Sequence, residues 1–139
     1  METKTALFAD ARCRTHLAGR DHPESPERFD AVMQALDRGG LLPRLELLEA
    51  RSATPEDLLR CHTKEYLFTA WHDVDAGYRY LTTGDTEITP TSWEIALLAA
   101  GGVLNAVDAV ASGNARNAFC AVRPPATMPR LAGEWDFAS

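Results

Sequence analysis

The sequence predicts an α/β fold with a mostly parallel sheet flanked by helices. Two patterns carry this expectation: short apolar runs alternate with segments of helical periodicity, and the last apolar run, residues 117–122, has no charge in it. Strands alternating with helices are the signature of parallel sheets, whose connections need a crossover helix. The chain has 139 residues, 45% of them hydrophobic and 24% charged, the balance of one ordinary globular domain.

The elements follow in order. Thr5 to Ala9 (TALFA) is a first strand, and a polar loop follows it. Ser25 is a good N-cap, Pro26 fits the first helical position, and Glu27 complements the positive helix end. Phe29, Val32, Met33 and Leu36 continue that helix at helical spacing until Gly39-Gly40 stops it. Residues 45–50 (LELLEA) form a second strand, with helix as the alternative. Thr54-Pro55-Glu56-Asp57 repeats the cap, proline and acid signal and opens a short helix. Residues 62–75 are a further helix with Tyr66, Leu67, Ala70 and Trp71 on its apolar face, and a Thr-rich loop that contains Asp85, 77–90, follows.

A long helix runs from about Thr91 to Ala111, with Trp93, Ala96, Leu97, Ala100, Leu104, Val107 and Val110 spaced by three or four. It keeps Gly101 and Gly102, although a mid-helix glycine costs about 1 kcal/mol relative to alanine. That cost points to close packing against a sheet. The final strand, 117–122, reads as buried on both faces and is ended by Arg123-Pro124-Pro125.

Composition excludes several function classes. The net charge of −6 argues against a broad nucleic-acid surface. No apolar run is expected to reach the roughly 18 residues of a membrane span, and the first residues lack the apolar core of a signal peptide. Cys13, Cys61 and Cys120, odd in number and widely spaced, suit a reducing cytoplasm.

Candidate chemistry is sparse. His16, His22, His62 and His72 form no dense ligand cluster, and the chain has no HExxH, paired CxxC, glycine-rich phosphate loop or nucleophile elbow. Arg28 stands in the first turn of a helix, where the dipole disfavours a cation. It is either an exposed side chain paired with Glu24 or Asp21, or a buried arginine that binds an anion. Asp85, beside Gly84 in the polar loop, reads by itself as a turn residue.

Taken together, HPESPER, RCHTKEYL, GDTEITPTSWEIALLAAGG and NAFCAVRPP occur in an order and spacing that resembles the N-terminal third of the zinc-dependent histone deacetylase family. The likeness is greatest to its bacterial class II-like, acetylpolyamine amidohydrolase and acetoin-utilisation members, and it covers residues 5–125. It implies part of an arginase/deacetylase-like fold. It also implies zinc-dependent hydrolysis of an acetyl-lysine or acetylpolyamine amide, in which the metal polarises the carbonyl and activates water while a histidine takes the proton. By the same resemblance Arg28 lines the internal channel by which acetate leaves, Asp85 sits on the rim and holds the substrate backbone, and His62 is a structural helix residue.

In the family the strand ending in Arg-Pro-Pro leads into GHHA, and the zinc ligands lie beyond it. Here Ala126 follows Pro125 and no histidine occurs after His72. The expectation is therefore a chain without a catalytic histidine pair, without zinc ligands and without a cofactor of its own, comprising a deacetylase portion over 1–125 and an out-of-frame tail over 126–139. The genetic code supports the second part. One base restored after Pro125 permits Gly, His and His and forces Ala, so that GHHA is available. Farther along, Glu134 to Ala138 permits MGFC with its Gly forced. The alternatives are a natural divergent terminus, a non-catalytic interaction module built on the same fold, and an unrelated small α/β domain.

Overall fold

The computed structural model describes residues 4–16, 25–84 and 86–123. Three parallel strands, β1 (Thr5–Ala9), β2 (Leu45–Leu47) and β3 (Asn117–Ala121), form one sheet in the order β2-β1-β3. Thr5 stands opposite Leu45 on one side and Asn117 on the other, and Ala9 opposite Ala121. The central strand is the buried one, with Ala6, Leu7 and Phe8 at 1% exposure or less.

The expected double burial of the last strand does not hold. β3 forms the edge of the described sheet and is exposed over its first three residues, with Phe119 47% exposed. Its uncharged sequence describes a strand made to be covered, but only β1 pairs with it here. Burial on both faces falls instead to β1, whose consecutive Ala6, Leu7 and Phe8 point to alternate faces and are all buried.

Helix α1 (Pro26–Arg38) starts where its signals place it, with Ser25 at the N-cap and Pro26 in the first turn. The Ser25 side chain makes no capping hydrogen bond to the backbone. The short helix α2 (Pro55–Leu58) carries a full capping box: Thr54 Oγ1 accepts from Asp57 N at 3.2 Å and Asp57 Oδ2 accepts from Thr54 N at 2.9 Å. Helix α3 (Lys64–Asp75) begins at Lys64, because Thr63 is its cap and Thr63 Oγ1 accepts from Tyr66 N. His62 thus precedes the helix it was expected to join.

Helix α4 (Ser92–Ala111) covers the sheet with a stripe rotated from the expected one: Ile95, Leu98, Ala99, Gly102 and Ala106 are buried, while Val107 and Val110 are exposed. Trp93, Ala96, Leu97 and Ala100 line a small cavity facing α2 and α3. The two glycines do separate jobs. A Cβ on Gly102 would enter the Phe8 ring of β1, and one on Gly101 would enter the backbone carbonyl of Arg51. With Glu94 and Asp108 its only charges, α4 is long and apolar enough to span a membrane by length and composition. In this fold it packs on β1, β3 and α3.

Candidate functional site

In parallel α/β sheets, ligands bind beyond the carboxyl ends of the strands, where loops and helix N-termini converge. At that end here, β1 runs through Asp10 into a 3-10 turn (Ala11–Thr15), and β3 runs into Arg123. The apolar floor is Cys13, Phe29, Ile95 and Ala121, with Ala9, Val32 and Met33 against it.

Arg123 organises this end. It is 2% exposed, and its Nη1 donates to the carbonyl oxygens of Cys13 at 2.9 Å and His16 at 2.7 Å. One buried guanidinium thus fastens the end of β3 to the turn that follows β1. Charge-assisted bonds of this kind are about twice as strong as neutral ones. His16 continues the network: its buried ring places Nδ1 3.1 Å from Ser92 Oγ, at the start of α4. Ser92 Oγ in turn accepts from Thr89 N at 2.7 Å, so its own proton is available to His16 or to Thr89 Oγ1. Strand β1, strand β3 and the N-terminus of α4 are joined through these few groups.

The 3-10 turn is fixed from both ends. Asp10 accepts from the backbone and side chain of Arg12, and the Arg12 guanidinium holds its carboxyl below the usual aspartate range. Arg14 pairs with Asp30 of α1 at 2.8 Å. Burial pushes the Cys13 thiol up, so it stays protonated. The Glu27 carboxyl is held low by its own amide and the Ser25 hydroxyl, with a smaller contribution from Arg123; this sets the first turn of α1 beside the end of β3.

Arg28 lies in that turn. Its backbone N–H bonds Ser25 O at 3.1 Å, and its side chain is exposed with no ion pair among the described residues. The alternative partners Asp21 and Glu24 lie outside the described residues, as do His22, Asp85 and the tail from Pro124 onward.

The loop leading to Asp85 is described on both flanks. Asp73 of α3, 2% exposed, accepts from Thr82 N at 2.8 Å and Thr82 Oγ1 at 2.9 Å. Tyr80 bridges Glu87 antiparallel, and buried Glu87 accepts from Arg79 Nε at 3.2 Å. The loop is therefore a tied turn. Asp73, Glu87, Ser92 and Arg123 were not singled out in the sequence as site residues; burial distinguishes all four from ordinary surface polar groups, and Ser92 and Arg123 also have partners distant in sequence.

His62 stacks on Tyr66 with centroids 5.3 Å apart, and its buried Nδ1 has no hydrogen-bond partner in the small cavity against α4. His72 is exposed at the end of α3, among Phe68 and Tyr78. Among the described residues no three His, Cys, Asp or Glu side chains converge to hold a metal ion. The three that follow β1 are otherwise engaged, Asp10 on Arg12, Cys13 as a buried thiol and His16 on Ser92. The described residues do not by themselves fit a zinc ion.

A three-strand parallel sheet with its polar network at the carboxyl ends is an α/β arrangement that several families share. The comparisons identify which one. The histone deacetylase domain family matches residues 22–126, and the chain belongs to that family. It is 39% identical over 145 aligned positions to a histone deacetylase-like amidohydrolase of Pseudomonas aeruginosa, covering 90% of this chain and 37% of that protein. It is 35% identical to the human polyamine deacetylase HDAC10, over 73% of this chain and 16% of that one. The crystal structure of the HDA15 HD domain superposes with a TM-score of 0.79 at 31% identity, covering 88% of this chain and 36% of that one. The chain thus spans between 16% and 37% of the length of these three relatives, and the α/β class expected from the sequence holds.

Proposed function

We propose that this chain is the N-terminal portion of a zinc-dependent deacetylase that hydrolyses acetyl-lysine or acetylpolyamine amides, and that the portion alone is inactive. One observation carries the reading: the family match runs to the Arg123-Pro124-Pro125 strand end, while the residues after it supply no histidine. What the chain contributes is scaffold. Arg123 sets the end of β3 against the turn after β1, and so aims the segment that in the family carries the histidine pair. Zinc and its ligands belong to the continuation in the restored frame. Arg28 serves the departing acetate and Asp85 the substrate backbone, in a cytoplasmic enzyme.

The test is the DNA downstream of codon 125 and the repaired protein. The restored frame should read GHHA, then MGFC, and the repaired enzyme should release acetate from acetyl-lysine or acetylpolyamine in a zinc-dependent way. In it, Arg28→Ala slows turnover, and Asp85→Ala mainly weakens substrate binding, by the roughly 1.5–3 kcal/mol of a charge-assisted hydrogen bond. A continuation without GHHA in any frame refutes the frameshift. An active enzyme indifferent to both substitutions refutes the two residue roles.

Exposed Phe119, Val107 and Val110 favour the fragment reading over a self-sufficient interaction module, because a finished domain covers such residues. The isolated chain should bind hydrophobic dyes and self-associate through these exposed residues. A chain that binds no dye and stays monomeric supports the interaction module instead.

A further inference from the structure

The amino-terminal end of the sheet, opposite the network just described, opens onto a cleft of about 570 Å³. Lys4, Arg44 and Arg116 stand around it, one at the entry to each strand, with Thr5, Leu45 and Asn117 between them. Among the described residues no acidic side chain lines it. Elsewhere Arg12, Arg14, Arg51 and Arg79 each pair with a carboxylate, whereas among the described residues Arg28, Arg38, Arg60 and Lys64 have no ion pair; what distinguishes the cleft is that three cations line one opening. Among the described residues Lys4, Arg44 and Arg116 pair with none.

The neutral polar groups at this end are also biased towards donation. Thr5 Oγ1 donates to Asn117 Oδ1 at 2.6 Å, which occupies the amide oxygen and leaves Asn117 Nδ2 to donate. The Lys4 carbonyl already accepts from Arg116 N at 3.1 Å. What remains on offer is three cations and an amide N–H₂, a set that matches an oxyanion. Guanidinium forks suit phosphate oxygens in particular. Three charges spread round an open cleft call for a ligand with several charges along its length, and the site is too small for the extended contacts of a nucleic acid.

We propose that this cleft binds an oligophosphate, a diphosphate or triphosphate group carried alone or on a small molecule. The site is separate from the deacetylase end of the sheet and does not depend on the reaction proposed for it. Isothermal titration of the 139-residue chain with inorganic tripolyphosphate tests it. The expected result is saturable one-to-one binding that weakens as salt shortens the screening length from about 30 Å at 0.01 M to about 3 Å at 1 M. Arg44→Gln and Arg116→Gln should each lower affinity about two- to fivefold, as for exposed ion pairs, and the double variant about tenfold. Arg60→Gln, an exposed arginine away from the cleft, should bind as the parent does. Both cleft arginines are exposed, so their substitution leaves the core intact, and matching circular dichroism spectra verify this. A parallel arm uses phosphatidylcholine vesicles carrying a phosphorylated inositol lipid. Capture by vesicles as well as by free tripolyphosphate, both lost in the double variant, assigns a lipid headgroup as a source; binding of the free anion alone assigns a soluble one. Absence of saturable tripolyphosphate binding, or affinity unchanged in the double variant, overturns the proposal.

Discussion

Replacing Gly101 by alanine should destabilise the chain, although helix propensity alone favours the change. Alanine in mid-helix gains about 1 kcal/mol over glycine. Against this, the new methyl would occupy the place of the Arg51 carbonyl, with Ala53 N only 2.9 Å away. Those are backbone atoms, which cannot rotate aside as a side chain can. The 51–53 segment is also tied to α4, because Ala53 N donates to Leu97 O at 2.9 Å, and Ala53 is 4% exposed. Relief of the clash means lifting that segment and losing the bond. Overpacking costs about 1–3 kcal/mol and an unsatisfied buried amide about the same again. Set against the helix gain, the net loss is about 3 kcal/mol. Amide hydrogen exchange reads it locally: protection of the Ala53 amide should fall about a hundredfold, and the urea midpoint should drop with it. Unchanged protection and an unchanged midpoint would refute the claim that Gly101 is required by close backbone approach.

Three further outcomes follow from the same structure. Ser92→Ala removes both the acceptor of Thr89 N and the partner of His16, and should cost about 1–3 kcal/mol in urea unfolding; an effect below about 0.5 kcal/mol would contradict the network. Cys61 is exposed, whereas Cys13 is buried with its thiol pushed up, so iodoacetamide should label Cys61 first and reach Cys13 only in denaturant; peptide mass mapping decides. The Thr54 amide and hydroxyl hold the Asp57 carboxyl below the usual aspartate range, so its capping contribution is present at neutral pH and is lost as pH falls through that depressed value. A carbon-detected titration should give Asp57 a midpoint below that of Asp57 in the unfolded chain, and Thr54→Pro, which removes the donating amide as well as the hydroxyl, should raise it; a midpoint unmoved by Thr54→Pro would remove the capping box as the cause.

Much of the architecture was legible in the residues because its signals are local. Pro26 after Ser25, the Thr54-to-Asp57 box and Gly39-Gly40 act within one helical turn, and they placed α1 and α2 closely. The uncharged TALFA and NAFCA runs likewise marked β1 and β3. Family membership was also legible, since HPESPER and VRPP are spacings along the chain. Periodicity did not decide which side of α4 faces the sheet. A helix apolar nearly all round offers several stripes, and only contact with Phe8 and with the Arg51 carbonyl selects the one that is buried. Nor did composition show that NAFCA would lie at an edge, because burial of a strand depends on neighbours contributed from elsewhere in the chain. Arg123, His16 and Ser92 meet across 76 to 107 residues of sequence. The convergence of Lys4, Arg44 and Arg116 is equally non-local: they are the entrances to three strands, neighbours only because the parallel sheet aligns its strand ends.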